Sequence, residues 1–444
     1  MTSDGQLRDR LQALQCHFTW DLDAPSQLKP EHVLQCLAVD IQHTPHHNQA
    51  TLLALRAFLC QRLGRYADAL QSLRDAEEQL RQDFPDGSPG QALLIYGNYA
   101  WVHYHLGTLD DATRYLERTQ AAPLAPVSTA LAAEISAQKG WSLLAVGLSH
   151  WKRARQCFEE ALAQDPGSRE LRAGLASALY AASIHSSDPG LKGEAMRQLE
   201  EVVQQQPENR RAKVFLACLL DQEEQQERVE ALITAAVESC CDAEVLRIAA
   251  KLLQQHNLER STRLLQQAVR EAPDYHLVHQ TMGRSLTKQW YQARGERKEQ
   301  LLQAAISAMK KAVIRNPGSV FIKLQLAELY RERDPSWEEQ IYLELEREAL
   351  GFSLRCRQAL CLSYGKFLMY KRKALQQAAK KLQDGYAIPI ATPERMQCCQ
   401  KLNKLIQWLN ESDPSKAKAI EHFIQEMDSV VAVDNAVGLE EEDE

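Results

Sequence analysis

The chain has 444 residues, which is more than one compact core usually holds, so it forms either two or three globular domains or one elongated array of repeats. Hydrophobic residues make up 45% and charged residues 25%, a composition that argues against disorder. The formal net charge of −7 does not indicate a nucleic-acid-binding surface, although a local basic channel can exist inside an acidic whole.

The N-terminus predicts a protein that stays in the cytoplasm. Its sequence, MTSDGQLRDRLQALQ, is polar and lacks the apolar core of a secretory signal. No run of about 18 apolar residues follows that would span a membrane. The cysteines are scattered and offer no set of four converging zinc ligands, so we interpret them as buried apolar residues in a reducing compartment. We expect no metal and no cofactor.

Apolar residues recur three and four positions apart along nearly the whole chain, as at Leu70, Leu73, Ala76 and Leu80. Alternating β-type runs are absent, so the pattern predicts an all-α fold. The acidic end of the chain has no helix signal and is typical of a disordered tail. The predicted organisation is N-terminal capping helices at 1–45, a repeat array at 46–390, C-terminal helices at 391–428 and a disordered acidic tail at 429–444.

A spacing of small and large residues recurs ahead of four prolines. Ala154, Phe158, Ala161 and Pro166 follow the pattern A-x3-F-x2-A-x4-P, which is the second-helix signature of the 34-residue tetratricopeptide unit. A small residue four positions before a large one lets two helices approach closely, and the proline ends the helix. The same spacing occurs at Ala195, Leu199, Val202 and Pro207; at Ser261, Leu265, Ala268 and Pro273; and at Ala305, Met309, Ala312 and Pro317.

The signature predicts a tetratricopeptide-repeat superhelix, an α-solenoid, with irregular repeats. Two insertions account for most of the irregularity: 183–193, which we expect to be a loop, and 289–299, which we expect to lengthen one helix pair. The predicted units lie near 49–82, 93–122, 136–166, 168–207, 209–240, 242–273, 276–317, 319–350 and 353–386.

Several strings go beyond a generic repeat. They are LQCHFTWDL at 14–22, GNYAWVHYHLG at 97–107, GWSLL at 140–144 with RARQCFE at 153–159, and VLRIAAKLL at 245–253. In these strings the chain resembles the interferon-induced proteins with tetratricopeptide repeats, and the match runs with gaps from about residue 10 to about residue 380. The aromatic residues of the first string are expected to pack into the N-terminal end of the solenoid.

The resemblance implies an antiviral effector of innate immunity, and some family members hold the 5′ end of foreign RNA in a basic inner channel. Their channel residues carry over only in part. Where those family members have a lysine, a tyrosine and an arginine, this chain has Ala145, Trp151 and Ala181. A tyrosine, arginine, tyrosine set corresponds to Glu244, Arg247 and Ile248, and a later arginine to Gln254. A histidine and glutamine match His279 and Gln280, and an arginine and glutamine of the first repeats map onto His32 and Cys36.

Arg247 is therefore the principal cation that remains, and the 5′-triphosphate pocket is predicted to be degraded. A triphosphate carries about three to four negative charges, which one arginine cannot compensate in a narrow pocket. Contact with RNA that does not depend on its end stays open. The candidate RNA-binding residues are Trp151, Arg211, Lys213, Arg247, Lys251, His279 and Gln280.

The resemblance further implies that the protein acts by binding other proteins, including family relatives in homo- or hetero-oligomers. Viral or single-stranded RNA is expected as a second class of partner, and no binding to membranes or DNA is expected. The alternative hypothesis is a chaperone-type adapter that clamps a peptide carboxylate. Asn98 fits one clamp position, but Ala54, Phe58, Ser136 and Gly140 do not. No catalytic motif is present, and Cys157, seven residues after His150, is interpreted as packing, so we predict no enzymatic activity.

Overall fold

A computed structural model describes residues 3–22, 30–43, 48–121, 129–186 and 188–437. It divides into two compact units, the N-terminal unit Met1–Thr281 and the C-terminal unit Met282–Glu444. Within the described ranges every regular element is helical, which confirms the predicted all-α fold. Over the same ranges, no helix combines the length and apolar character needed to cross a bilayer.

The helices of the N-terminal unit follow one another in antiparallel pairs from α3 onward. Their bounds are α1 Ser3–Gln12, α2 Pro30–His43, α3 Gln49–Arg62, α4 Tyr66–Asp83, α5 Pro89–Leu106, α6 Leu109–Ala121, α7 Thr129–Val146, α8 Trp151–Gln164, α9 Arg169–His185, α10 Pro189–Gln205, α11 Arg210–Asp221, α12 Gln226–Val237, α13 Ala243–Leu253 and α14 Leu258–Glu271. The helix α15, His276–Gln292, crosses the point of division.

The helices of the C-terminal unit continue the pairing. Their bounds are α16 Glu296–Arg315, α17 Val320–Tyr330, α18 Pro335–Glu348, α19 Leu354–Phe367, α20 Leu375–Tyr386, α21 Pro393–Ser412 and α22 Pro414–Val437. A π-helical turn, Leu368–Arg372, follows α19. The last helix runs to Val437, past the boundary predicted at 428, and the rest of the predicted acidic tail, 438–444, lies outside the described residues.

The proline-spaced signature forms the buried side of the second helices. Every small and large residue of the four signature sets is at most 1% exposed. The residue before each proline, at 165, 206, 272 and 316, caps its helix with φ between −128° and −136° and ψ between 73° and 78°. Proline excludes its predecessor from the α region, so the four helices end in the same way. The tetratricopeptide prediction is confirmed.

The loop predicted for 183–193 is wrong in extent. The helix α9 continues to His185, and α10 already begins at Pro189. Asp188 is the N-cap and accepts a hydrogen bond from the backbone N–H of Gly190 at 2.8 Å, while proline suits the first helical position because that position needs no N–H donor. The Asp-Pro-Gly sequence therefore starts a helix here instead of sustaining a loop.

The string from Cys16 to Trp20 packs into the N-terminal core, as predicted. His17 is 1% exposed, and Asn98 Nδ2 donates to its Nδ1 at 2.8 Å. The proton of the neutral ring therefore lies on Nε2, which donates to Ser142 Oγ at 3.0 Å. Asn98 Nδ2 also donates to the Ala54 carbonyl at 2.9 Å. His17 and Asn98 together thus link the first helices α3, α5 and α7.

Acid is expected to destabilise the fold through His17. Burial lowers its pKa from 6.5 to about 3, so the folded ring stays neutral while the unfolded chain takes up a proton below about pH 6.5. The stability is complete above that pH and is lost as the pH falls towards 3, by about 1.4 kcal/mol per pH unit. Urea unfolding at about pH 7.5 and about pH 5.5 should show a loss that is about 1 kcal/mol smaller in His17→Gln than in the wild type. Equal losses would contradict the assignment.

Candidate binding surface

The helix α2 lies against the first helices of the N-terminal unit. It packs on α3 and α7, and its side chains reach Arg211 in α11 and His276 at the start of α15. First helices line the inner face of such arrays, which is where these arrays bind ligands. We call the residues that meet here the inner cluster: His32, Cys36, Asp40, Arg211, Asp242, Glu244, Arg247, Tyr275 and His276.

Arg247 is held in a bidentate ion pair with Glu244, one turn earlier on α13. Its Nε and Nη2 donate to the two carboxylate oxygens at 2.7 and 2.6 Å, and the Tyr275 hydroxyl donates to Oε2 at 2.8 Å. Burial alone would raise the pKa of Glu244, but Arg247 and these hydrogen bonds bring it below its ordinary value. Glu244 is therefore an anion at neutral pH and neutralises Arg247.

Arg211 is paired on both sides. Its Nη1 lies 2.7 Å from Asp40 Oδ1 in α2, and its Nε donates to Asp242 Oδ2 at 3.0 Å. The other oxygen of Asp242 accepts from the backbone N–H groups of Glu244 and Val245 and so caps α13. The remaining nitrogen, Nη2, is buried with no hydrogen-bond partner among the described residues. Arg211 therefore keeps one buried donor without an acceptor among those residues.

The other end of α2 meets α15 through two histidines. His276 is 1% exposed, and its Nδ1 donates to Gln35 Oε1 at 2.5 Å. Its Nε2 therefore accepts from His32 Nδ1 at 2.9 Å. Burial, followed by the charges of His32 and Arg247, lowers the pKa of His276 to about 3. His276 therefore adds no positive charge at neutral pH.

The predicted site residues are placed unevenly. Arg211 and Arg247 lie in the inner cluster, and so do His32 and Cys36, which the resemblance mapped onto the channel. His279 is 4% exposed, and its Nε2 donates to the Pro273 carbonyl at 2.7 Å. The others lie on the first helices or at the start of α8: Lys213 and Gln280 partly exposed, Lys251 exposed, and Trp151 half-buried with Lys152 Nζ 5.7 Å from its ring centroid.

Two of the positions where the resemblance finds other residues in place of arginines lie inside the packing. Ala181 is fully buried, and Gln254, 7% exposed, donates to the Thr281 carbonyl at 3.3 Å. Next to Ala181, the ring of Tyr180 stacks on Phe215 with 4.2 Å between centroids. Sequence reasoning did not anticipate that carboxylates pair with Arg211 and Arg247. Glu244 and Arg247 are three residues apart on one helix, a spacing that allows pairing, but Asp40 lies far away in the sequence.

Two alternative hypotheses can be compared with the geometry. Asn98, the residue that fitted a carboxylate clamp, is fully buried and occupied by His17 and the Ala54 carbonyl, so it does not face a peptide groove. Cys157, the residue considered as a nucleophile, is 7% exposed, and burial raises its pKa. A thiol held in the protonated form is a poor nucleophile. Within the described ranges, no group of three or more histidine, cysteine, aspartate or glutamate side chains has the arrangement needed to hold a metal ion.

Paired helices, the proline-spaced signature and an inner face that carries polar groups define a tetratricopeptide-repeat binding protein. No protein-family model matches the sequence. Interferon-induced protein with tetratricopeptide repeats 2 from Cricetulus griseus is 29% identical over 96% of this chain and 92% of its own length. The antiviral innate immune response effector IFIT1 from Homo sapiens is 29% identical over 74% of this chain and 72% of its own length.

Solved structures of IFIT1 agree with these sequence matches. A monomeric mutant with Gppp-AAAA has a TM-score of 0.76 at 25% identity and covers 96% of this chain and 100% of that one. The human IFIT1 dimer with PPP-AAAA has the same TM-score and identity and covers 96% and 97%. The resemblance seen in the sequence is confirmed: in sequence and in fold the chain is similar to the interferon-induced proteins with tetratricopeptide repeats.

Proposed function

We propose that this chain is a non-catalytic, cytoplasmic binding protein of innate antiviral defence. It acts through assembly with other proteins, including relatives of its own family, and contacts RNA without selecting a 5′ triphosphate. The comparison with IFIT1 supports the general role, since that protein has been solved with capped and triphosphate RNA and as a dimer. The inner cluster of this chain supports the difference in RNA recognition.

The charge balance of the inner cluster carries the proposal. Two guanidinium groups, those of Arg211 and Arg247, face the carboxylates of Asp40, Asp242 and Glu244. An incoming triphosphate would have to break a bidentate pair and then lie beside the displaced carboxylate. Both steps cost free energy in a half-buried site, so end-dependent affinity is lost.

Residual RNA binding has a separate source. Arg211 keeps one unpaired donor, and positive charge is added by Lys213, partly exposed on α11, and by Lys251, exposed on α13. Contacts of this kind meet the phosphate backbone of any RNA and weaken steeply as salt is added. They select neither sequence nor end chemistry.

Fluorescence polarisation with AAAA RNA carrying a triphosphate, a Gppp cap or a 5′ hydroxyl tests the proposal. The wild type should bind the three within roughly threefold of one another. The isosteric variant Glu244→Gln frees Arg247 and should bind triphosphate RNA about tenfold more tightly.

Glu259→Gln is the matched control, because it removes the same charge at an exposed position on α14. It should gain no end preference. A wild type that already binds triphosphate RNA far more tightly than hydroxyl RNA would overturn the proposed lack of end selection.

Assembly is tested separately. Affinity purification from interferon-stimulated cells, with the bound proteins identified by mass spectrometry, should recover relatives with tetratricopeptide repeats. Recovery of none would remove support for the assembly role.

A further inference from the structure

A cleft of about 380 Å³ opens in the C-terminal unit between α16, α17 and α18. Its floor is apolar: Val313, Leu326 and Ile341 come from the three helices. Leu326 is buried in a core cluster on which Val313 and Ile341 pack while staying partly exposed. The floor is therefore firm, and it presents apolar surface that no described residue covers.

An aromatic pair forms one wall of the cleft. Tyr330 ends α17 and Trp337 lies in the first turn of α18, with their rings edge to face and 5.3 Å between centroids. The Trp337 side chain is 45% exposed, although tryptophan is among the costliest side chains to leave in water. Exposed tryptophans at the edge of an apolar cleft are frequent anchors of protein interfaces.

A buried ion pair holds this wall in place. Glu338, the residue after Trp337, is fully buried and accepts hydrogen bonds from Arg331 Nε at 2.9 Å and from the Tyr342 hydroxyl at 2.8 Å. Arg331 itself follows Tyr330. The corner between α17 and α18 is thus fixed from behind, and the wall needs little ordering when a partner binds.

The rim of the cleft carries positive charge. Lys310 Nζ lies 5.5 Å from the centroid of the Tyr330 ring, and no carboxylate among the described residues pairs with it. Lys323 has Glu348 at 4.0 Å, a weak contact whose carboxylate is 62% exposed. Two lysines beside an apolar floor fit a carboxylate that lies close to a large apolar side chain.

We propose that this cleft docks an acidic amphipathic segment of a partner protein, with one large apolar side chain on the floor beside Trp337 and its acidic residues against Lys310 and Lys323. A nucleic acid fits less well, because the floor of the cleft is aliphatic. The inference rests on the proposed assembly role and names its surface and partner chemistry.

The full chain is titrated against three fluorescein-labelled probes: a 14-residue helical peptide of leucine and glutamate, the same peptide with lysine for glutamate, and 12-residue oligoadenylate. The acidic peptide should bind, and Trp337→Ala should weaken that binding by roughly tenfold or more. The double variant Lys310→Glu, Lys323→Glu should weaken it by a similar factor.

Trp408→Ala is the matched control, because Trp408 is also an exposed tryptophan of this unit, 38% exposed, and lies outside the cleft. It should change the affinity by less than about twofold.

Equal binding of the acidic and basic peptides, preferential binding of oligoadenylate, or equal effects of Trp337→Ala and Trp408→Ala would each overturn the cleft proposal. The purification from interferon-stimulated cells, repeated with Trp337→Ala, separates this failure from that of the assembly role. Family relatives recovered equally by wild type and variant would sink the cleft as the assembly surface and leave the assembly role intact. Relatives absent already from the wild type would remove the assembly role itself.

Discussion

The variant Phe158→Ala is expected to unfold with a free energy about 3–5 kcal/mol below that of the wild type. Phe158 is fully buried in α8, and its ring meets Trp141 edge to face with 5.0 Å between centroids. It fills the space between the glycines Gly140 and Gly174 of the neighbouring first helices. Removing the ring leaves a cavity that three helices cannot close without moving. Urea unfolding followed by circular dichroism measures the loss.

A double-mutant cycle tests the packing directly. A Cβ added at Gly174 would lie 2.4 Å from Phe158 Cε1, so Gly174→Ala alone should cost about 1–3 kcal/mol. In the Phe158→Ala background the methyl group enters the cavity, and its cost should vanish. Additive losses would show that the two residues do not share this space. Ile184→Ala, at a position that is 51% exposed, is the control and should change stability by less than about 0.5 kcal/mol.

The variant Glu338→Ala is expected to destabilise the C-terminal unit by about 3–5 kcal/mol. It removes the acceptor of both the Arg331 guanidinium and the Tyr342 hydroxyl. Tyr342 is fully buried and so finds no water in exchange, and the Arg331 side chain, 21% exposed, regains only part of its hydration. A buried charge without its partner costs more than the intact pair contributes.

Thermal and urea unfolding of Glu338→Ala should be compared with Glu344→Ala, an exposed position on the same helix. The control should differ from the wild type by less than about 0.5 kcal/mol. Similar midpoints for the two variants would mean that the buried ion pair does not support the corner between α17 and α18.

The fold could be predicted because the sequence patterns that specify it involve residues close together in the chain. The spacing of Ala154, Phe158 and Ala161 ahead of Pro166 reports a helix face and a helix end within one turn or two. The same reasoning failed at 183–193, where composition suggested a loop. Aspartate and proline are common both in loops and at the start of helices. The residue types of Asp188 and Pro189 therefore do not distinguish a helix N-cap from a loop, and only the backbone geometry does.

The candidate surface was predictable only in part. The substituted channel positions were readable one by one, and Glu244 was seen as a lost tyrosine. Its role as the partner of Arg247 depends on rotamers and on Tyr275, which a helical spacing permits but does not require. The pairing of Asp40 with Arg211 joins residues far apart in the sequence, and no periodicity reports such a contact.

Repeat arrays usually lose structure piecemeal, because each repeat meets only its neighbours and the ends fray first. The helix α2 breaks this rule inside the N-terminal unit, since His32 bonds a residue 244 positions later. If any repeat between them unfolds, the contact between His32 and His276 is lost, so we expect this unit to unfold in one cooperative transition. Cutting the chain ahead of α13 would remove His276, the distant partner of α2, and turn a sharp transition into a more gradual one.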